Sequence, residues 1–462
     1  MSLPYGPVPV FRPTLEQFSD FSQFIRSITP QCAPYGLAKV IPPEGWTPRK
    51  SGGYEELLAG IKIPSPIKQV VQGKQGCFQL LNIEQNEMTV KDFAEAARER
   101  AERHLTDGLG HEEIERKFWR NIQFSPPMYG ADMVGSLTDT DLKMWNMREL
   151  GTILDLIGIS LSGINVPYLY FGMWQAMFSW HTEDMDLYSI NYLHFGKPKR
   201  WYAIPSEEGK KFERVAAGYF PGMQNECKAF LRHKTTMISP LLLTRYHQIT
   251  VNTCVQEAGE FMITFPYAYH AGFNHGFNCA ESVNFATPEW IDFGSKASRC
   301  SCGGGTCEID MNIFKARYVL ARELAPHVTV TDEMVWRKIA QFKDREENLN
   351  RIIERLSKLV VTVVVPFVLS CYVGEAHRAP VPDPVFDFSK KRKTEDLENE
   401  SRKRNKNDQV ITRIQGQDKT IPGEVLDNLK GNTKTKTDQS IFSCTLLGPS
   451  KLLLSIKKPI NV

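Results

Sequence analysis

The pattern His181-x-Glu183, followed 87 residues after the glutamate by His270, strongly constrains how this chain folds. Side chains along a strand alternate between two faces, so His181 and Glu183 can reach one metal ion from a single strand. The stretch that follows, 185–195, is rich in Leu, Tyr, Ile and Phe and lacks Gly and Pro, which is typical of a buried strand. His270 ends a second alternating apolar stretch, 260–269. Two strands from distant parts of the chain are therefore predicted to meet at a metal.

Two histidines and one carboxylate form an open metal site. Such a set occupies one face of an octahedral ion and suits Fe(II) that binds a co-substrate and dioxygen together, whereas structural zinc is normally closed by four ligands. A His-x-Glu pair also occurs by chance, so its surroundings matter. Asn191 has the same parity as His181 and Glu183. If the strand is unbroken, its amide points into the same interior, where it needs a partner such as a bound cofactor.

The composition excludes several classes of protein. The chain has 462 residues, 42% of them hydrophobic, and its formal net charge of +3 is too small to indicate a nucleic-acid-binding protein. Its ten cysteines lack a disulfide-like spacing and several lie near histidines, which favours a reduced, intracellular, metal-binding protein. The N-terminus lacks the apolar core of a signal peptide. The apolar run 359–373 is shorter than the roughly 20 residues that span a membrane, so we expect no membrane anchor.

Residues 129–293 consist mainly of short aromatic and branched runs separated by Gly and Pro, with one inserted amphipathic helix marked by Phe212 and Val215. This pattern predicts a closed or two-sheet β architecture rather than alternating βαβ units. The first fifty residues form a small unit that must pack on something else, because it is too small to bury a core of its own. Within this unit, Phe18, Phe21 and Phe24 form a helix-like apolar stripe.

Three further features are predicted around this core. Residues 51–76 are typical of a polar linker or an exposed hairpin. Thr89 resembles the start of a helix, and a second helix begins at about Glu112. Charged residues increase from about Asp344, and the polar stretch 383–436 is predicted to be disordered.

Three segments resemble the catalytic core of the Jumonji-C histone lysine demethylases: Tyr168-Leu-Tyr-Phe-Gly-Met-Trp174, His181-Thr-Glu-Asp-Met-Asp-Leu-Tyr-Ser-Ile-Asn191 and His270-Ala-Gly-Phe-Asn-His-Gly-Phe-Asn278. The resemblance is closest to the subfamily that acts on trimethylated lysines nine and thirty-six of histone H3. Val8-Pro-Val-Phe-Arg-Pro-Thr14 and Gly36-Leu-Ala-Lys-Val-Ile-Pro-Pro43 resemble its Jumonji-N module. The implied fold is mainly β with flanking helices (α+β), built on a double-stranded β-helix (jelly-roll, cupin-like) core.

The resemblance also implies a domain organisation. It comprises a Jumonji-N module at 7–50, a linker, hairpin and helices at 51–134, a Jumonji-C jelly roll closed by a zinc site at 135–302, a helical C-terminal part of the core at 303–343, and a charged, largely disordered tail at 344–462. Larger members add zinc-finger and paired Tudor modules. The tail here holds only Cys371 and Cys444, too few for such a finger, so we expect a short form without reader domains.

The resemblance implies that His181, Glu183 and His270 bind iron. It implies that the co-substrate 2-oxoglutarate binds Tyr129, Phe178, Asn191 and Lys199, because a dianion calls for a cation and a hydroxyl in a buried slot. His275 is an alternative third ligand, although it lies in a Gly- and Asn-rich turn, where an outer role beside the ligands is expected. Lys197 has the same charge as Lys199, and composition alone does not separate the two; the resemblance implies Lys199.

The family binds methylammonium in a polar cage, which implies the residues Gly163, Tyr170, Glu183, Ser282 and Asn284 here. Methyl groups that share a positive charge are attracted to oxygen atoms and ring faces. Two positions depart from the family: Ser162 stands where several relatives have glutamate, and Val283 where larger members have threonine. Both are expected beside the peptide groove, as is Asp132, and they leave the preferred lysine and methylation state open.

A second metal is indicated by Cys227, His233, Cys300 and Cys302, because thiolates and imidazole suit a closed, structural zinc site. The resemblance implies that this site forms one wall of the peptide groove. Cys307 is an alternative to Cys302. Without the resemblance, scattered reduced cysteines would be the simpler interpretation.

The implied function is that of an Fe(II)- and 2-oxoglutarate-dependent dioxygenase that uses O2 to demethylate histone H3 lysines and release formaldehyde. The expected partner is the H3 tail or the nucleosome, with no sequence-specific DNA binding. Two basic clusters, Lys390–Lys393 and Arg402–Arg404, resemble a two-part nuclear import signal, so a nuclear location is expected, although charge runs are often only solvated. A catalytically silent chromatin scaffold and a protein hydroxylase of the same class are the alternatives.

Overall fold

The computed structural model describes residues 5–50, 53–300, 302, 308–325, 328–374, 442–446 and 452–456, with side chains up to residue 354. The chain divides into two compact units, and the candidate site lies within residues 1–342 of the first unit. The basic clusters at 390–393 and 402–404, the predicted disordered stretch 383–436 and Cys307 lie outside the described residues.

The helices of the described ranges are α1 (Leu15–Phe18), α2 (Phe21–Cys32), α3 (Tyr54–Leu58), α4 (Val90–His104), α5 (His111–Asn121), α6 (Gly209–Tyr219), α7 (Pro221–Glu226), α8 (Pro240–His247), α9 (Trp290–Lys296), α10 (Met311–Glu323) and α11 (Asp332–Gly374). Thr89 caps α4 by accepting a hydrogen bond from the Asp92 backbone N–H, which confirms the predicted helix start. Among the described residues, no helix is both long enough and apolar enough to cross a bilayer.

The strands are β1 (Gly6–Pro7), β2 (Val10–Phe11), β3 (Leu37–Val40), β4 (Lys62–Ile63), β5 (Ile67–Lys74), β6 (Cys77–Glu84), β7 (Met88–Thr89), β8 (Met128–Val134), β9 (Tyr168–Gly172), β10 (Met177–His181), β11 (Tyr188–Gly196), β12 (Lys199–Ile204), β13 (Thr236–Ile238), β14 (Asn252–Gln256), β15 (Phe261–Thr264), β16 (Tyr269–Asn274), β17 (Asn278–Phe285), β18 (Phe442–Leu446) and β19 (Leu452–Ile456). Strands β5 and β6 form an antiparallel hairpin. The described part of 51–76, predicted to be a polar linker or an exposed hairpin, contains α3, β4 and only the first strand of this hairpin.

Two large sheets form the core. One has the strand order β1-β14-β12-β16-β10, and the other has the order β13-β6-β5-β8-β9-β17-β11-β15-β3-β2. Trp201 of the first sheet packs with Leu37 and Met262 of the second, so the inner faces of the two sheets meet. The predicted mainly β fold with a jelly-roll core is confirmed.

Alternation along β12 sorts its side chains between the two faces of the sheet. Lys199 and Trp201 lie on the inner face, whereas Tyr202 packs on the outer face with Phe118 of α5 and Phe212 of α6. Helices therefore cover the outer face of the five-stranded sheet. The space between the sheets remains for the side chains of the candidate site.

The N-terminal unit packs against the ten-stranded sheet. Strand β3 pairs antiparallel with β15. The Phe18 ring stacks on Trp145 with a centroid distance of 4.2 Å, and Trp145 Nε1 donates a hydrogen bond to the Phe18 carbonyl at 2.9 Å. Phe21 and Phe24 are buried in the same apolar cluster. The expectation that this small unit packs on another part of the chain is confirmed.

The expected unbroken strand through His181, Glu183 and Asn191 is wrong. Strand β10 ends at His181, a 3-10 turn covers Asp184–Asp186, and β11 begins at Tyr188. Met185 and Asp186 in this turn have left-handed φ values of 54° and 51°. The backbone changes direction at these two residues. Glu183 therefore precedes the turn, and Asn191 lies in β11 after it.

The second predicted strand is also divided. Residues 260–269 contribute to β15 and to β16, and Tyr267 between them has a φ of 57°. His270 is therefore the second residue of β16 rather than the end of one long strand. The prediction that two distant strands meet at the candidate ligands holds, because β10 pairs antiparallel with β16 and His181 lies opposite His270.

Candidate active site and metal clusters

The side chains of His181, Glu183 and His270 converge between the sheets. Their ligand atoms lie within 4.8 Å of one another, and His270 Nε2 lies 3.3 Å from Glu183 Oε1. Both histidines are buried. We call these three residues the His–Glu–His group.

Backbone carbonyls orient both imidazole rings. His181 Nδ1 lies 2.6 Å from the Ser179 carbonyl and His270 Nδ1 lies 3.1 Å from the Ala268 carbonyl. A carbonyl only accepts hydrogen bonds, so each Nδ1 carries the proton and each Nε2 keeps a lone pair for a ligand. Burial lowers the pKa of His181, and the neighbouring His270 lowers it further, so the ring is neutral as a metal requires.

Glu183 is held as a carboxylate. Burial alone would raise its pKa, but the hydrogen bond and charge that His270 supplies when its Nε2 is protonated lower the pKa below its ordinary value. A bound metal would take the place of that proton. Asn284 Nδ2 donates to Glu183 Oε2 at 3.0 Å and to the Tyr188 carbonyl at 3.0 Å. Two neutral imidazoles and one carboxylate are the donor set of open Fe(II) sites, so the residues present fit that ion.

A cavity of about 650 Å³ opens beside the His–Glu–His group. This volume is within the range of small-molecule sites. Its walls include the predicted residues Tyr129, Asp132, Gly163, Tyr170, Phe178, His181, Glu183, Asn191, Lys199, His270, Ser282 and Asn284, together with Ser162.

Lys199 lies at one end of this cavity. Its side chain is buried, and Nζ donates to Asn274 Oδ1 at 2.6 Å. Within the described residues, no carboxylate lies within ion-pair distance of Lys199, and burial lowers its pKa to about 7. A buried amine without a carboxylate partner calls for an anionic ligand.

Two neighbours complete this end of the cavity. The Tyr129 hydroxyl also hydrogen-bonds Asn274, and burial raises the pKa of Tyr129, so the phenol stays protonated. The Phe178 ring centroid lies 5.7 Å from Lys199 Nζ. A cation, a neutral hydroxyl and a ring face therefore surround one slot.

Asn191 also lines the cavity. Gln256 Nε2 donates to Asn191 Oδ1 at 3.2 Å, while Gln256 Oε1 accepts from Trp201 Nε1 at 2.9 Å. Because Asn191 Oδ1 is occupied by this donor, its Nδ2 is the group left to donate to a ligand. The predicted need of Asn191 for a partner is therefore met in part by Gln256.

A second group combines Cys227, His233, Cys300 and Cys302, whose ligand atoms lie within 4.8 Å of one another. His233 Nε2 lies 3.2 Å from Cys300 Sγ, and Cys227 Sγ lies 3.7 Å from the same sulfur. Three thiols and one imidazole fit a closed tetrahedral zinc site. We call these four residues the cysteine–histidine cluster.

Comparison with known proteins agrees with this geometry. Residues 168–285 match the family model "JmjC domain, hydroxylase", and residues 9–42 match the jmjN domain. The chain is 52% identical over 313 residues to lysine-specific demethylase 4B of Mus musculus and 50% identical over 312 residues to lysine-specific demethylase 4D of Rattus norvegicus. It is 47% identical over 320 residues to probable lysine-specific demethylase 4F of Homo sapiens. The chain therefore carries a region similar to the JmjC domain and a region similar to the jmjN domain.

Each of these alignments covers 66% of this chain. The chain spans 28%, 60% and 48% of the lengths of the 4B, 4D and 4F relatives, respectively. The predicted resemblance to JmjC and jmjN proteins of the lysine-specific demethylase 4 type is thus confirmed.

The cavity also contains the predicted cage residues. Tyr170 hydrogen-bonds Asp132, and burial raises the pKa of Tyr170. Ser282 Oγ donates to the Ile190 carbonyl at 2.9 Å. Asn284 uses both amide hydrogens on Glu183 and Tyr188, so its Oδ1 is left as an acceptor.

Three residues from the sequence analysis lie outside the cavity wall. Val283 follows Ser282 on β17 and, because strand side chains alternate, it is buried in the apolar core near Ile190. Lys197 is exposed and pairs with Asp107 at 2.8 Å. His275 stacks on Phe273 with a centroid distance of 5.4 Å, on the outer side of β16.

The sequence reasoning missed Asn274, Gln256 and Arg232. Asn274 has the same strand parity as His270, so alternation along β16 contains the signal that identifies it. Gln256 is the last residue of β14, and no pattern in the sequence of that segment indicates a role in the site. Arg232 donates to the Glu183 carbonyl at 2.8 Å, a contact without a local sequence signal.

Proposed function

We propose that the chain is an Fe(II)- and 2-oxoglutarate-dependent dioxygenase that demethylates di- or trimethyl-lysine in histone H3, at lysine nine, lysine thirty-six or both. The observation that carries the proposal is the juxtaposition, in one cavity, of the His–Glu–His group and a buried lysine without a carboxylate partner among the described residues. The His–Glu–His group suits iron, and the buried lysine suits an anionic co-substrate.

His181, Glu183 and His270 would hold the iron through two Nε2 atoms and one carboxylate oxygen. Bound iron, with O2 and 2-oxoglutarate, supplies an oxidation strong enough to attack a C–H bond, with release of succinate and carbon dioxide. This chemistry suits a trimethylammonium group, which has no nitrogen lone pair to assist oxidation by other routes. The hydroxylated methyl group is then lost as formaldehyde.

Lys199 and Tyr129 would bind the distal carboxylate of 2-oxoglutarate. Lys199 contributes charge and Tyr129 a neutral hydroxyl, and both are held by Asn274. Asn191 would donate its Nδ2 near the opposite end of the co-substrate, while Phe178 would lie against the carbon chain. Together these residues exclude water from the slot and fix the direction in which the keto acid enters.

Gly163, Tyr170, Glu183, Ser282 and Asn284 would surround the methylated ammonium. Carboxylate, amide and hydroxyl oxygens attract charge that is spread over methyl groups, and no full hydrogen bond is required. Asp132 and Ser162 line the cavity where the peptide would enter. The choice of lysine and of methylation state would depend on these positions, and Val283 would act only through packing behind Ser282.

The cysteine–histidine cluster would hold zinc, which would link the segment around Cys227 to the segment around Cys300 without taking part in the reaction. We further propose the domain organisation given by the sequence, a nuclear location and the H3 tail or nucleosome as partner. The relatives are named lysine-specific demethylases 4B and 4D and probable lysine-specific demethylase 4F, and these names support methylated lysine as the substrate class.

The test is incubation of the purified protein with Fe(II), ascorbate, 2-oxoglutarate and trimethylated H3 peptides, followed by mass measurement of the peptide. Stepwise loss of methylene-sized mass with formaldehyde release is expected. A stable gain of one oxygen would indicate a hydroxylase, and retained peptide binding without any mass change would indicate a scaffold. His181→Ala should abolish turnover while zinc stays bound. Loss of zinc together with turnover in this variant would contradict two separate metal sites.

A further inference from the structure

Arg232 connects the two candidate metal sites. It lies in the 3-10 turn Phe230–His233, directly before His233 of the cysteine–histidine cluster. Its guanidinium reaches the other site, where it donates to the Glu183 carbonyl at 2.8 Å and to the Asp186 carboxylate at 2.7 Å. One residue therefore contacts the backbone of a proposed iron ligand and is covalently joined to a proposed zinc ligand.

The turn that Arg232 contacts requires external support. Met185 and Asp186 both adopt left-handed conformations. This conformation is tolerated by aspartate but is unfavourable for methionine, which adopts it only when the surrounding structure holds it. The Thr182 side chain, which is close in sequence, hydrogen-bonds Asp186, and two contacts from distant segments add to this support. Trp290 Nε1 donates to the Met185 carbonyl at 2.9 Å, and Arg232 forms an ion pair with Asp186 in which each side chain is only 6% exposed.

The cysteine–histidine cluster supports Arg232 from the other end. Cys227 and His233 lie on either side of the segment that contains Arg232, and both approach Cys300. An ion bound by these residues would fix both ends of the segment 227–233. The Phe230 N–H also donates to the Cys227 carbonyl at 3.1 Å, which makes the segment a compact unit.

We infer that Arg232 is a positioning residue that couples the two sites. Metal in the cysteine–histidine cluster fixes the segment from which Arg232 holds Glu183 and the Asp184–Asp186 turn in the geometry that binds the second metal. This inference rests on the proposed function to the extent that both groups bind metal ions. It adds that occupancy of the zinc site sets the affinity of the iron site.

The test is a titration of the full-length protein with Mn(II) alone, with free Mn(II) followed by electron paramagnetic resonance. Mn(II) prefers oxygen and nitrogen ligands to thiolates, so it reports on the His–Glu–His group even when zinc has been removed. Zinc is removed with a chelator under reducing conditions, its content is measured by mass spectrometry, and the fold is checked by circular dichroism. In the wild-type protein we expect zinc removal to weaken Mn(II) binding about tenfold.

The decisive variant is Arg232→Met. It should retain its zinc, yet bind Mn(II) about tenfold more weakly than the wild-type protein. Subsequent removal of zinc should then weaken binding little further, because the connection between the sites is already lost. If the variant is too unstable, Arg232→Lys takes its place. A single ammonium cannot fully replace the two contacts made by the guanidinium, so we expect an Mn(II) affinity between those of the wild-type protein and Arg232→Met.

Arg200→Met is the matched control. Arg200 also forms a buried ion pair, with Glu115 at 3.2 Å, but within the described residues it has no contact with either metal group. Arg200→Met should lose stability as Arg232→Met does. Zinc removal should nevertheless weaken its Mn(II) binding as much as in the wild-type protein.

Two results would overturn the coupling alone. In the first, zinc-loaded Arg232→Met binds Mn(II) as tightly as the wild-type protein does. In the second, zinc removal weakens Mn(II) binding equally in the wild-type protein and in the variant. Both would leave turnover by the wild-type protein intact. A wild-type protein that neither binds Mn(II) nor demethylates would overturn the proposed function, and the coupling with it.

Discussion

Asn274 is the residue on which the Lys199 end of the cavity depends. It is fully buried, its Oδ1 accepts from Lys199 Nζ, and its Nδ2 donates to the Ala176 carbonyl at 3.0 Å. It also hydrogen-bonds the Tyr129 hydroxyl. Both groups proposed to bind the co-substrate carboxylate are therefore oriented by one amide.

Replacing this amide should weaken co-substrate binding. We expect Asn274→Ala to raise the KM for 2-oxoglutarate roughly tenfold and to cost about 1–3 kcal/mol of stability, because Lys199 and Tyr129 lose a buried partner. The KM for the peptide should change little. Asn146→Ala is the control, since Asn146 is also buried but bonds only local backbone groups. An equal rise in both KM values would contradict the positioning role.

The pKa of Lys199 predicts how co-substrate binding varies with pH. Burial lowers this pKa to about 7 in the free protein, so the amine is charged below pH 7 and increasingly neutral above it. A dianion requires the charged form. The Kd for 2-oxoglutarate should therefore rise with pH, approaching roughly tenfold for each unit well above 7.

Calorimetry of 2-oxoglutarate binding between pH 6 and 9 measures this dependence. Lys199→Met should bind weakly at every pH, whereas Lys197→Met should match the wild-type protein, because Lys197 is a solvated lysine paired with Asp107. A Kd that stays constant across this range would show that Lys199 keeps its charge, contrary to the prediction.

At the scale of single elements, the pairing of β12 with β16 determines the shape of the slot. Gly272 of β16 lies opposite Trp201, and a Cβ at this position would lie 2.0 Å from the Arg200 carbonyl oxygen and 2.5 Å from the Phe178 ring. A side chain at Gly272 would therefore force the two strands apart or displace Phe178.

We expect Gly272→Ala to reduce stability by about 1–3 kcal/mol and to weaken 2-oxoglutarate binding, because the Phe178 ring moves. Urea unfolding and calorimetry measure the two effects. Gly218→Ala in α6 is the control, since its Cβ would meet nothing within 4 Å. Unchanged co-substrate affinity in Gly272→Ala would mean that Phe178 does not shape the slot.

Local periodicity predicted much of these elements. Alternation placed His181 and His270 correctly in strands, since a buried sheet has a period of two whatever it packs against. It failed between Glu183 and Tyr188, because Met185 is not a residue that normally marks a left-handed turn. That turn is held by Arg232 and Trp290, which are distant in sequence. Contacts of this kind leave no local pattern.

At the scale of the whole molecule, the N-terminal unit and the jelly roll share one apolar core. Phe18 is fully buried and contacts Trp46, Trp145 and Phe261, which lie in three separate parts of the chain. The unit is too small to bury such a cluster alone. It should therefore unfold together with the β core.

Phe18→Ala should lower the free energy of unfolding by about 3–5 kcal/mol and leave a single cooperative transition. Urea unfolding, followed both by tryptophan fluorescence and by far-ultraviolet circular dichroism, measures this. Leu15→Ala, on the same helix but 53% exposed, should have little effect. Two separate transitions in the Phe18 variant would mean that the N-terminal unit folds independently.

The short strands β1 and β2 have a consequence for solubility. Each occupies an outer position, β1 beside β14 in the smaller sheet and β2 beside β3 in the larger one. An uncovered strand edge presents free amide and carbonyl groups that recruit strands from other molecules. Six residues, Gly6–Phe11, thus cover the β14 edge of one sheet and the β3 edge of the other, and shortened versions of the protein that omit them should form intermolecular β-structure even when every metal ligand is retained.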